Sequence, residues 1–393
     1  IMRSGAVGRK SLGSRPKAMV EAWLAAASDR EILRASVGQS PSLADVIRMV
    51  HPRPASAERR ALYAYLIGRP YDVAMLPEAV RSFEAFKRDA TLPVPDVPFQ
   101  MLTALELTPE HWAEIARSAG WQMLRMNLNT FDRQCVFAIP GMAETIAARL
   151  KDERQIKSAR VLPYQLMAAH AAASAEVPMI VREALQDAME IAVANVPAIA
   201  GSVAICPDVS GSMASPATGT RKGATSVVRC IDVAALVAAA MLRANRSARV
   251  LPFENDVVAV ALNPRDTVFT NAAKLAAIGG GGTNCSAPLA KLNAERAKVD
   301  LVVFVSDNQS WMDAGRSDRT GMMAEWTKLK ARNPQARLVC IDIQPHGTTQ
   351  AAERDDILNV GGFSDAVFEV LATFANGLIG SAHWVGEIEK IDV

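Results

Sequence analysis

The sequence has 393 residues, which predicts about two to three domains. Its 43 basic and 41 acidic residues nearly balance, so the net charge of +2 does not by itself indicate a polyanionic partner. Half of the residues are hydrophobic and only 5% are aromatic, which is typical of a soluble protein rich in helix. No stretch approaches the roughly 18 consecutive apolar residues of a membrane-spanning helix, so we expect no membrane partner.

The cysteines and histidines are dispersed along the chain. None of the five cysteines forms a Cys-x-x-Cys pair, and Cys206 and Cys340 lie in apolar, strand-like runs. This pattern favours reduced, buried thiols and a cytoplasmic location. The five histidines are too scattered to indicate a zinc site. The unusual opening Ile1-Met2 predicts that residues of a longer protein precede this sequence.

The chain begins with a basic arm. Five basic residues precede the first acidic residue, Glu21, and the last two of them are Arg15 and Lys17. Such an arm can lie on nucleic-acid phosphates, but most runs of charge are simply solvated. Both interpretations stay open.

From this arm to about residue 198, the sequence predicts a series of short helices. Apolar residues recur three and four positions apart, between polar or Pro-containing breaks. Residues 42–50 are an example, closed by His51-Pro52-Arg53-Pro54. Short helices in succession favour an α-solenoid, whose repeats share a core and offer an extended binding surface. Further helices are predicted at residues 57–66, 76–89, 98–107, 109–119, 121–131, 142–150 and 163–174.

The pattern changes after a junction at residues 190–202, where Pro197 and Gly201 interrupt the chain. Beyond it, strands alternate with helices, which predicts an α/β domain with a doubly wound parallel sheet. Strands are predicted at residues 203–206, 248–253, 257–262, 301–305 and 337–343, and helices at 225–242, 287–298, 320–332 and 364–375.

Oxygen-bearing side chains follow two of these strands and a glycine-rich loop. The first strand leads into Asp208-x-Ser210-x-Ser212, the loop at 279–282 leads into Thr283, and the strand at 301–305 leads into Ser306-Asp307. Ligands of an open parallel sheet collect outside the carboxyl ends of its strands. Carboxylate and hydroxyl oxygens suit Mg²⁺ or another hard divalent cation such as Mn²⁺. The alternative is that Asp208 and Ser210 merely cap the next helix.

This order of motifs resembles the metal-ion-dependent adhesion site of von Willebrand factor A domains, over about residues 200–393. The resemblance implies that several ligands contact the metal through water and that a carboxylate can fill an open position. The implied metal ligands are Asp208, Ser210, Ser212, Thr283 and Asp307.

Residues 42–54 and 121–131 resemble the helical module of the TROVE family, named for telomerase, Ro and vault proteins, and residues 160–166 resemble a third such stretch. A TROVE module at 1–198 followed by an A domain at 199–393 is the arrangement of the Ro ribonucleoproteins, including their bacterial orthologues. The resemblance implies a HEAT-like solenoid that forms a ring closed by the A domain. Residues 1–198 are short for the module, so closure of the ring is left open.

The same resemblance implies an RNA-binding protein of RNA quality control. Small structured, Y-like non-coding RNA would bind on the outer face and single-stranded RNA ends in the hole, and a partner ribonuclease is left open. The basic surface that contacts Y RNA in the family maps onto Arg48, His51 and Arg53. His51 could equally serve only to end a helix before Pro52. Arg15, Lys17 and Arg125 are further candidates, each of which could equally be an exposed helix charge.

Catalysis is not predicted. The glycine loop carries no lysine, so it is not a nucleotide-binding P-loop, and no Gly-x-Ser-x-Gly elbow is present. No histidine or glutamate beside the motifs indicates a general base, so binding is favoured over hydrolysis. A metal-dependent protein–protein interaction module without RNA is the alternative, and a metal-dependent RNA phosphodiesterase is a third. A continuous basic track on the helical face would support RNA, and a mixed face would support a protein partner.

Overall fold

The structure is a computed structural model that describes residues 13–217, 228–307, 321–345, 350–352, 354–364 and 366–377. Within these residues, a series of helices precedes the first strand. The helices before the first strand are α1 (Ser14–Ala26), α2 (Asp29–Ala35), α3 (Leu43–Val50), α4 (Ala57–Ile67), α5 (Glu78–Phe86), α6 (Phe99–Leu102), α7 (Pro109–Ser118), α8 (Trp121–Met126), α9 (Leu128–Arg133), α10 (Met142–Leu150), α11 (Glu153–Ser158), α12 (Pro163–Ala172) and α13 (Met179–Ala192).

Strands and helices then alternate along the rest of the described chain. They are β1 (Val203–Pro207), α14 (Cys230–Ala244), β2 (Arg249–Val250), α15 (Val268–Ala276), α16 (Ala287–Ala294), β3 (Leu301–Ser306), α17 (Gly321–Arg332), β4 (Arg337–Asp342), β5 (Ile357–Gly361) and α18 (Val367–Ala375). The predicted order of a helical region followed by an α/β domain is confirmed. None of the helices in the described residues is long and apolar enough to cross a membrane.

Helix α3 shows how the sequence sets the ends of these helices. Ser42 caps its N-terminus, because the Ser42 side chain accepts a hydrogen bond from Asp45 N while the Asp45 carboxylate accepts one from Ser42 N. His51 follows the last turn in the left-handed conformation, with φ 53°. Pro52 disfavours the helical conformation for the residue that precedes it. The helix therefore ends where the sequence predicts, and His51 is exposed.

The described part of the chain divides into two compact units, which fall within residues 1–119 with 133–139 and within residues 120–132 with 140–393. In the second unit, α13 packs against α10 and α12. Helix α12 also contacts α14 of the sheet domain, and α13 contacts α15. The boundary predicted at residues 198 and 199 marks the change in secondary structure. As a division into domains it stays a prediction, and so does the HEAT-like ring. The core of the first unit includes Leu24, Ile32, Leu33, Leu62 and Val80.

All neighbouring strands of the sheet are parallel, and their order is β2-β1-β3-β4-β5. Alternate residues of β1, β3 and β4 pack on α16 and α17, in a core that includes Phe304, Trp326 and Leu329. Helix α14 contacts β1 and β3 as well. Since β1 and β3 are buried along their whole length, their near-continuous apolar runs are those of central parallel strands.

One predicted strand is wrong. Residues 257–262 form no named strand, and the predicted pairing with the segment before them reduces to a single antiparallel bridge between Phe253 and Val257. Pro252 lies in that segment and has no N–H to donate to a ladder. Strand β2 therefore covers only two residues of the predicted 248–253.

The turn into β1 predicts a large stability effect at one glycine. Gly201 has φ +92°, and a Cβ there would overlap the Asp300 carboxylate, which accepts a hydrogen bond from Ser202 N at 2.7 Å. We expect Gly201→Ala to lower the free energy of unfolding by about 2 kcal/mol or more, because backbone strain and steric overlap add. Denaturant unfolding measures the change.

Gly362 provides the matched control in the same domain. Its φ is +86°, but nothing lies within 4 Å of a Cβ built there. Gly362→Ala should therefore show only the cost of the backbone conformation, about 1 kcal/mol. Equal losses for the two variants would show that the Asp300 contact does not constrain this turn.

Candidate functional site

Two fully buried carboxylates lie at the point where the strand order reverses. Asp208 directly follows β1 and Asp307 directly follows β3, and these strands are neighbours in register from Val203–Leu301 to Pro207–Val305. The backbone N–H of Asp208 donates to Val305 O at 2.9 Å, which extends the ladder to the site. In doubly wound sheets, this crevice between the diverging connections is where ligands bind.

The predicted hydroxyl groups join Asp208 in one hydrogen-bonded network. Ser210 N donates to Asp208 Oδ1 at 2.8 Å, and Thr283 Oγ1 donates to Ser210 Oγ at 2.9 Å. Ser212 Oγ lies 3.3 Å from Ser210 Oγ. Residues from two distant segments of the sequence are thus within hydrogen-bond distance. Their role as metal ligands stays a prediction.

The glycine loop is held in place by the turn after β2. Gly281 O accepts a hydrogen bond from Gly211 N at 3.1 Å, and Gly282 N donates to Asn255 Oδ1 at 3.1 Å. Gly281 has φ +63°, and a Cβ there would overlap the Glu254 carboxylate. Only glycine fits this approach without strain. The loop thereby places Thr283 within hydrogen-bond distance of Ser210.

Sequence reasoning missed one member of the network. Ser306, the last residue of β3, donates from its Oγ to Asp208 Oδ2 at 2.6 Å, and both side chains are buried. The only signal was a hydroxyl residue beside Asp307 at the end of an apolar run. Its partner depends on the register between two strands, which the sequence does not show.

The electrostatics of the site favour a cation. Burial raises the pKa of Asp208 to about 6, the charge of Asp307 adds to the rise, and hydrogen bonds from Ser210 and Ser306 oppose it. A divalent cation between the carboxylates would offset both the burial and the repulsion. The donor set of two carboxylates and three hydroxyls fits a hard ion such as Mg²⁺ or Mn²⁺. The described residues contain no cluster of three or more His, Cys, Asp or Glu side chains that would suit another kind of metal site.

Three of the predicted RNA-binding residues line one cleft in the first compact unit. Lys17 of α1, His51 at the end of α3 and the following Arg53 surround a cavity of about 500 Å³. Glu21 and Tyr63 complete the walls, and Tyr63 is fixed by a 2.8 Å hydrogen bond from its hydroxyl to Leu24 O. The cleft therefore presents the basic side chains of Lys17 and Arg53 and the imidazole of His51, beside the carboxylate of Glu21.

The remaining predicted residues lie outside this cleft. Arg15 is exposed on α1. Arg48 donates to Ile67 O at 2.7 Å, at the end of α4. Arg125 belongs to the other compact unit, where it donates to Gln165 O at 2.8 Å and to the Gln122 side chain. Arg48 and Arg125 thus make contacts that stabilise the fold, and their role in RNA binding stays a prediction.

Comparisons with known proteins agree with this architecture. Residues 202–375 match the family model of the Ro60 von Willebrand factor A (vWA) domain. The RNA-binding protein RO60 of Deinococcus radiodurans is 27% identical over 361 residues, which are 86% of this chain and 66% of that protein. The crystal structure of the Deinococcus radiodurans RO (RSR) protein superposes with a TM-score of 0.71 at 21% identity, over 93% of this chain and 78% of that one. The predicted fold class and the predicted resemblance to Ro proteins are confirmed.

The raised pKa of Asp208 predicts a pH-dependent stability of the metal-free protein. Since the pKa is about 6 in the folded chain against an ordinary 3.8, the contribution of this carboxyl to stability is fully present below pH 3.8 and is lost as the pH rises through 6. The loss amounts to about 3 kcal/mol at most.

Asp208→Asn, which cannot ionise, should lack this dependence. Urea unfolding with a chelator at several pH values from about 4.5 to 7.5 measures it. We expect the free energy of unfolding of the unchanged protein to fall relative to that of the variant as the pH rises. Parallel pH profiles for the two proteins would contradict the assignment.

Proposed function

We propose that this chain, which combines a vWA domain of the Ro60 family with the fold of a Ro protein, is an RNA-binding protein of the Ro ribonucleoprotein type. The chain spans 66% of the length of its curated Deinococcus relative, whose name describes it as RNA-binding. The observation that carries the proposal to this chain is the cleft that brings Lys17, His51 and Arg53 together. Lys and Arg side chains supply the phosphate contacts on which RNA affinity depends.

The proposed ligand of the cleft is a small structured, Y-like RNA. Its phosphate groups would pair with Lys17 and Arg53, and His51 would donate to a phosphate or sugar oxygen. Glu21, on the same wall, would repel a phosphate placed near it and so restrict the path of the backbone. The proposal extends, on the Ro resemblance alone, to single-stranded RNA ends and to RNA quality control with a ribonuclease.

A second part of the proposal is that Asp208, Ser210, Ser212, Thr283 and Asp307 hold Mg²⁺ or Mn²⁺. The bound ion would supply an electrophilic centre for an oxygen ligand, such as a carboxylate of another molecule. We propose binding without hydrolysis. In the described part of the chain, Asp208 hydrogen-bonds to Ser210 and Ser306, and Thr283 to Ser210, so none of these partners is a residue suited to act as a general base.

Charge reversal in the cleft tests RNA binding. Lys17→Glu combined with Arg53→Glu should weaken binding of a small structured RNA by about 10-fold or more, and it should reduce the slope of log affinity against log salt by roughly 2, because two phosphate contacts are lost. Filter binding of labelled RNA at several salt concentrations gives both quantities.

The control reverses two basic charges outside the cleft, so that the net charge changes by the same amount. Arg246→Glu with Lys298→Glu alters two exposed residues of the sheet domain. Its affinity should remain within about 3-fold of the unchanged protein, because long-range electrostatics alone are screened at physiological salt. If both double variants weaken RNA equally, the cleft is not the RNA site.

Removal of the central carboxylate tests the metal site. Asp208→Ala should abolish Mg²⁺ binding in titration calorimetry, because the ligand nearest the centre of the network is lost. The helical region should keep its circular dichroism signal. Metal affinity equal to that of the unchanged protein would rule out a site at Asp208.

A further inference from the structure

Both oxygens of the Asp208 carboxylate accept a hydrogen bond. Oδ1 accepts from the backbone N–H of Ser210 at 2.8 Å, and Oδ2 accepts from the Ser306 hydroxyl at 2.6 Å. Asp208 and Ser306 are buried, so water does not compete for either oxygen. A short O–H···O⁻ bond in such surroundings is of the strong, charge-assisted kind. The pair of bonds fixes the rotation of the carboxylate about its Cβ–Cγ bond.

The Ser306 hydroxyl is itself held rigidly by the sheet. Ser306 is the last residue of β3, whose ladder with β1 pairs Val305 with Pro207 just before the two polar residues. On its other side it pairs with Asp342 of β4, and its carbonyl accepts a hydrogen bond from Ile343 N at 2.8 Å. Paired backbones on both sides leave the position of the Ser306 Cβ little freedom. A donor on a rigid strand orients its acceptor better than one on a loop.

We propose that Ser306 is a positioning residue of the metal site. Its hydroxyl acts through Asp208, by holding the carboxylate so that the lone pairs not used by Ser306 and Ser210 point into the network with Thr283. The inference rests on the proposed metal site. It assigns a role to a residue that lies outside the Asp208-x-Ser210-x-Ser212, Thr283 and Asp307 pattern.

A competing explanation is that the hydroxyl only satisfies a buried carboxylate and contributes to folding. The two explanations differ in what happens to a folded variant. If Ser306 only supports the fold, its loss changes stability and leaves metal affinity as it was. If Ser306 orients a ligand, its loss weakens the metal even where the chain remains folded, and another hydroxyl at the same place restores it.

The test is titration calorimetry of Mg²⁺, repeated with Mn²⁺, on the whole chain at about pH 7.5, with folding checked by circular dichroism. Ser306→Ala should weaken metal binding about 10- to 100-fold, the usual effect of removing a hydrogen-bond partner of a ligand. Ser306→Thr, which keeps the hydroxyl, should bind within about 3-fold of the unchanged chain. Ser306→Cys, a weaker donor, should fall between the two, and it replaces the alanine variant if that variant does not fold.

Val303→Ala is the matched control. It truncates another buried side chain of β3, three residues before Ser306. It should lower stability by about 1 kcal/mol or more through the cavity it leaves, with metal affinity unchanged. This variant distinguishes the effect of a loosened strand on metal affinity from the effect of a lost hydrogen bond.

Three results would overturn the assignment. They are an unchanged affinity in Ser306→Ala, an equal loss in Ser306→Thr, and an equal loss in Val303→Ala. Absence of metal binding in the unchanged chain would overturn the proposed metal site and the role of Ser306 with it. Because that outcome appears before any substitution is made, it is distinct from a failure of the Ser306 inference alone.

Discussion

The arrangement of the sheet domain depends on the burial of two carboxylates at the ends of neighbouring parallel strands. Asp208 and Asp307 are both inaccessible to water, and the charge of Asp307 adds to the rise that burial causes in the pKa of Asp208. Such a pair is tolerated only where donors or a cation offset it. The pairing of β1 with β3 places the Ser306 hydroxyl beside Asp208, and the glycine loop places Thr283 beside Ser210. The buried apolar strands hold these side chains in position.

Polar contacts also join the helical region to the sheet domain within the same compact unit. Glu190 of α13 accepts a hydrogen bond from Val268 N at the start of α15, and its Oε2 lies 3.6 Å from Arg243 Nε of α14. Burial raises the pKa of Glu190, and the Val268 hydrogen bond and the Arg243 charge oppose the rise. A carboxylate from the helical region thus caps one helix of the sheet domain and pairs with another. The two kinds of structure are joined by specific polar contacts as well as by packing.

Sequence patterns predicted most local elements and the convergence of motifs at the strand ends, but they missed individual side-chain contacts across the chain. The strand before Asp208 and the end of α3 at His51 follow from apolar runs and from a proline, which act over a few residues. The bond from Ser306 to Asp208 spans 98 positions, and the contact of Arg125 with Gln165 spans 40. Such contacts depend on register and packing. Helices α13 and α15 were not predicted, although α15 begins at a local signal, since the Thr267 side chain accepts a hydrogen bond from Thr270 N.

We propose that a divalent cation binds where β1 and β3 end. The most direct measurement is anomalous diffraction from a crystal of the chain soaked in Mn²⁺. We expect an anomalous peak in the crevice bounded by Asp208, Ser210 and Thr283, with oxygen neighbours at about 2.2 Å. Mn²⁺ peaks confined to surface carboxylates, with none in this crevice, would contradict it.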